Sequence, residues 1–173
     1  MNIHPIFVHF PIALLTLYAI FEIIQNRKLR EQFYFFYVKA VLVITGTISS
    51  FLALQTGELA EELRDRSFQD LIELHSTFAN ISVWIFSILG IIYLILWIEK
   101  SGILNNLFSK QINLQKIWNI IIMYAMKINN SFLIKIIALI GLMAITITGG
   151  LGGVIVYGPN VDPFASFIYN LFF

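Results

Sequence analysis

Three histidines, His4, His9 and His75, are the only side chains in this 173-residue chain that ordinarily change charge near neutral pH. The chain has no cysteine, so disulfide frameworks, thiolate-held zinc or iron–sulfur clusters and covalent c-type haem are excluded. Imidazole chemistry remains: axial ligation of haem iron, a transition-metal site, or a proton-linked group inside a membrane. A b-type haem asks for two imidazoles from opposite sides, an apolar slot, and small residues where the ring meets backbone. His9 and His75 are the candidate axial pair. Gly57, Gly149 and Gly150 are candidate contacts for the ring, with Phe7, Phe10 and Phe78 as its wall. Arg64, Arg66 or Tyr157 are candidate partners for its propionates. Two other readings compete. His4, His9 and His75 joined by Glu58 or Glu73 would make a histidine-rich transition-metal site. Alternatively the histidines and glycines only pack, since Gly149 and Gly153 have the small-xxx-small spacing of helix contacts.

These residues need elements to position them. Hydrophobic residues make up 58% of the chain and charged residues 12%, with a mean hydropathy of +0.82. Soluble domains carry about 25% charged residues, so this chain cannot cover a water-soluble surface, and the bilayer is its expected solvent. Four apolar stretches, at about 5–25, 33–54, 78–98 and 132–157, reach the roughly 20 residues that cross a hydrocarbon core as a helix. None shows the alternation of a barrel strand. The expected fold is therefore all-α, an antiparallel four-helix transmembrane bundle, forming one membrane domain over residues 1–173. A weaker apolar pattern at about 103–128, broken by lysines and asparagines, contains Trp118 and Tyr124. Such aromatic residues suit headgroups, which predicts one interfacial helix on the cytoplasmic face. The terminal stretch Pro163 to Phe173 is apolar but too short to span. Met1 to His4 shows no basic n-region and no cleavage site follows the first stretch, so the first helix is expected to stay.

Charge sets the expected orientation. Arg27, Lys28, Arg30, Lys39, Lys100, Lys110, Lys116, Lys127 and Lys135 fall on one side of the four spans, and only Arg64 and Arg66 on the other. The side rich in lysine and arginine belongs in the cytoplasm, which places both termini on the outer, periplasmic side of a cytoplasmic-type membrane. Glu22, Lys39 and Lys135 lie near the cytoplasmic ends of their spans and are expected to form an interfacial cluster, with the lysines snorkelling to water. A net charge of +1 gives no reason to expect nucleic acid as a partner.

Threading the spans up and down brings His4, His9, His75, Thr56-Gly57 and Thr148-Gly149-Gly150 to the same outer face. A histidine near the start of each hairpin and Thr-Gly near its end suggest a weak parallel duplication about an axis along the membrane normal, with His9 paired to His75. Pro11 removes one hydrogen bond inside the first helix and is expected to kink it. His4 and His9 stand about 140° apart around an ideal helix. His4 precedes Pro5 and is expected to turn toward solvent, leaving His9 as the deeper ligand.

The string His4-Pro5-Ile6-Phe7-Val8-His9-Phe10-Pro11 resembles the opening of a bacterial four-helix membrane family, domain of unknown function 2231. The likeness continues through Thr56-Gly57, Leu74-His75 and Gly149-Gly150 to Tyr157-Gly158, and so covers nearly all four spans. The long connection from Glu99 to Asn130 and the apolar tail depart from the usual pattern. Members of that family often stand joined to or beside cytochrome c-like and Rieske-type domains, which implies a redox setting. The resemblance thus implies haem b and a partner redox protein or respiratory-complex subunit, in a redox subunit more than a stand-alone enzyme. It supplies no catalytic residues.

Overall fold

A computed structural model describes residues 4–24, 27–30, 32–61, 69–103 and 112–173. Among the described residues the chain forms six helices and an isolated helical turn, Arg27–Arg30. They are α1 (His4–Ile23), α2 (Phe33–Glu61), α3 (Gln69–Ser101), α4 (Ile112–Asn129), α5 (Leu133–Tyr157) and α6 (Pro163–Phe172). Four of them, α1, α2, α3 and α5, are long and apolar enough to cross a membrane. This is an all-α integral membrane protein.

The four spanning helices pack in the cyclic order α1, α2, α3, α5. Their shared core contains Leu15, Tyr18, Val43, Phe86, Leu89, Tyr93, Ile134 and Ile145, all essentially removed from the surface. Tyr18 crosses the centre to meet Phe86 and Tyr93 edge-on, at ring separations of 6.3 and 5.5 Å. The opposite faces expose Ile48, Trp84, Ile91 and Met143. In water such faces would be a liability, whereas lipid tails accept them. Helices α2 and α3 run beyond the expected spans of 33–54 and 78–98, because their apolar windows continue into polar, still helical ends.

Two glycines set how closely the helices approach. A Cβ on Gly46 would stand 2.6 Å from Leu15 Cδ2, and one on Gly141 3.0 Å from Phe86 Cζ. Without side chains there, α1 closes on α2 and α3 on α5, the small-residue contact that drives association in lipid. The same step along the sequence carries Leu15 to Phe86 and His4 to His75; another carries Gly46 to Gly141 and Gly57 to Gly152. The pairs α1/α2 and α3/α5 thus pack in the same register, and these contacts set the correspondence between them. Gly57 corresponds to Gly152, not to Gly149 as the Thr-Gly pairs suggested.

At the basic end, α4 lies along the end of α3. Ala125 packs with Ile92 and Leu96, and Trp118 Nε1 donates to Glu99 at 3.0 Å. This is the helix anticipated at about 103–128; residues 104–111 lie outside the described set. At the other end the apolar tail forms α6. Asp162 caps it by accepting from Ala165 N at 2.8 Å, with Pro163 in the first turn. Leu71, Leu151, Val154, Ala165 and Ile168 then form a second small core between α6 and the ends of α3 and α5.

Candidate functional site

The outer end is built twice, once in each hairpin. His4 opens α1 and leans across onto α2. Its Nδ1 lies 3.0 Å from Thr56 Oγ1, and its Cε1 occupies the space where a Cβ of Gly57 would be, 3.2 Å away. His75, in the second turn of α3, leans onto α5 in the same way. Its Nδ1 lies 3.0 Å from the Thr148 carbonyl, and its Cε1 lies 3.3 Å from a Cβ built on Gly152.

One hydrogen bond fixes the tautomer of His75. A carbonyl only accepts, so His75 Nδ1 carries the proton. Thr56 Oγ1 lies 3.0 Å from the Ala53 carbonyl as well as from His4 Nδ1, so either tautomer of His4 finds a partner there. His75 therefore holds its N–H at Nδ1, and His4 places its own Nδ1 at the same distance from an oxygen of the neighbouring helix. This is the arrangement of a metal-ligating histidine, whose second nitrogen is anchored by a backbone or side-chain oxygen.

The remaining candidates scatter. His9 is exposed on the outside of α1, among exposed Ile6, Phe7 and Phe10. The histidine that mirrors His75 across the hairpins is His4. The residue expected to turn to solvent is half-buried instead, because its side chain finds acceptors on α2. Gly149 has no neighbour within 4 Å of a Cβ position, and neither does Gly153. Gly150 is not open to a ring: a Cβ there would meet Ile168 Cγ1 at 2.9 Å and Phe164 at 3.1 Å, so it serves the docking of α6. Tyr157 is 75% exposed. Arg64 and Arg66 lie outside the described residues. Glu58 and Glu73 are exposed, and no three His, Asp or Glu side chains converge among the described residues. A purely protein-ligated metal ion finds no cage there.

A second polar cluster lies inside the basic end. Glu22, only 6% exposed, pairs with Lys39 Nζ at 2.9 Å and accepts from the Tyr93 hydroxyl at 2.5 Å. The hydroxyl of Tyr18 lies against the same groups without completing a hydrogen bond. Lys39 thus turns inward, with a side chain 14% exposed, where snorkelling to water was expected. Glu22 and Tyr93 are equivalent positions of the two hairpins, so they meet near the internal axis.

The family model for DUF2231, described as a predicted membrane protein, matches residues 1–162. The chain belongs to the DUF2231 family. No curated protein and no solved structure matches it. The match runs from the first helix into the cap of α6 and includes both histidine–glycine contacts. As a family of unknown function, DUF2231 assigns no role to them, and the site must be argued from its own geometry.

Proposed function

We propose that this membrane protein is a b-type haem-binding electron-transfer subunit, in which His4 and His75 would hold the haem iron near the outer face. The observation that carries this reading is the pair of corresponding imidazoles at one end of the bundle, each with its Nδ1 3.0 Å from an oxygen of the neighbouring helix. Two protein nitrogens suffice for haem, whose ring supplies the other four, whereas a bare metal ion would want a third or fourth side chain. The open flank of α5 at Gly149 and Gly153 is available to a flat ring. Bound haem would supply a one-electron couple. The protein's own part would be to orient both imidazoles through their Nδ1 contacts and to surround them with apolar helices. The charge asymmetry supports a periplasmic position for this end and for both termini. The partner is then a redox protein or a respiratory-complex subunit.

The test is an optical spectrum of the purified protein, oxidised and dithionite-reduced. A Soret band with a sharp α-band on reduction is expected. His4→Ala and His75→Ala should each abolish the low-spin spectrum, since each removes one of the two imidazoles that would hold the iron, while His9→Ala should preserve it. Loss in His9→Ala with retention in His4→Ala would refute the assigned pair. A colourless protein reconstituted with haem to no effect would refute haem. The specific observation favouring a second reading is that each imidazole also clamps two helices across a glycine. In that scaffold role, His4→Ala and His75→Ala lower stability without any change in colour.

A further inference from the structure

At the basic end a cavity of about 260 Å³ opens between the end of α1, the start of α2 and the turn from α4 into α5. Phe21 and Phe132 form part of its wall, and Glu22, Lys39, Lys135 and Asn129 its polar lining. Glu22 and Lys39 neutralise each other. Lys135 is half-buried, makes no ion pair among the described residues, and rests 6.0 Å from the Phe132 ring centre. Among the described residues the cavity therefore keeps one positive charge without a counter-charge. Asn129 adds the complementary need: its Oδ1 is buried with no hydrogen-bond partner. A half-buried cation and an unmet acceptor are both costly unless something pairs with them.

We propose that this cavity holds the head of an acidic, hydroxyl-bearing phospholipid of the phosphatidylglycerol kind. Its phosphate meets Lys135 and its headgroup hydroxyl donates to Asn129. The position fits, because the cavity lies where the spanning helices end and headgroups begin, and basic pockets between spanning helices are suited to acidic lipids. The acyl chains have a surface to follow in Ile24 and Phe132, which are 46% and 67% exposed. A soluble phosphate ester shares the anionic group but has no use for that apolar surface. A zwitterionic choline lipid offers neither net negative charge nor a hydroxyl.

Native mass spectrometry of the detergent-purified full chain tests this with three probes: phosphatidylglycerol, phosphatidylcholine and glycerol 3-phosphate. The wild type should retain one phosphatidylglycerol in preference to phosphatidylcholine and should not retain glycerol 3-phosphate. Lys135→Met should weaken phosphatidylglycerol retention at least about tenfold, the loss expected for one charge-assisted hydrogen bond. Lys127→Met, in the last turn of α4 and outside the cavity, should not. Equal retention of the two lipids by the wild type would overturn the proposal, and that comparison needs no variant to fold. Glycerol 3-phosphate bound as well as the lipid would overturn the lipid source, and undiminished binding by Lys135→Met would overturn the site.

Discussion

Replacing Lys39 by methionine keeps the length of the side chain and removes only its ammonium, so it isolates what the buried pair contributes. In the native protein the charge of Glu22 is balanced by Lys39 at 2.9 Å, with both side chains largely removed from the surface. Without Lys39, Glu22 retains the Tyr93 hydrogen bond and no opposing charge. Stranding one member of a buried pair costs about 3–5 kcal/mol. For a chain of this length each kcal/mol corresponds to about 2–4 °C, so melting should fall by on the order of 10 °C. The double variant Glu22→Gln, Lys39→Met removes both charges and leaves an acceptor for Tyr93. It should recover most of that loss, since neutral replacements of buried pairs are often harmless. The assay is thermal unfolding in mild detergent, followed by tryptophan fluorescence, across the full double-mutant cycle. An unchanged melting temperature in Lys39→Met would refute the reasoning, because it would make this a hydrated surface pair worth about 0–1 kcal/mol. So would a double variant no more stable than the single one.

Glycine substitutions should split by position. Gly46→Ala forces a Cβ to within 2.6 Å of Leu15 Cδ2 and should destabilise by about 1–3 kcal/mol. Gly149→Ala, with open space beside it, should gain about 0.5–1 kcal/mol of helix stability; the reverse order in the same melts would contradict the packing. Gly150→Leu should displace α6 through its contacts with Ile168 and Phe164, so chymotrypsin should cleave at Phe167 and Tyr169 faster than in wild type. Unchanged cleavage would show that α6 does not depend on that seat. Reporter fusions at Arg30 and Ser109 should read cytoplasm and one at Asp65 periplasm, and any exchange among them would overturn the orientation.

Much of the candidate site was legible before folding: the three histidines, the glycines and their common end follow from span lengths and order. The register of the repeat was not. Thr56-Gly57 and Thr148-Gly149 match as strings, yet the contacts of Leu15 with Gly46 and Phe86 with Gly141 align Gly57 with Gly152. The role of Gly150 was equally hidden, because the helix that covers it is assembled from the terminal segment.

Sequence alone determined the solvent, the all-α class and the four spans. Hydropathy and length act along the chain, and a bilayer leaves a long apolar segment only the helix. Tertiary structure decided which histidine turns inward. That depends on the rotation of α1 and on an acceptor 52 residues away at Thr56, neither of which is written in the spacing of His4 and His9. It also decided that Glu22 and Lys39 satisfy each other inside the bundle. Two charges near helix ends can reach water separately or pair in the interior, and the choice was made by Tyr93, brought to Glu22 from 71 residues away.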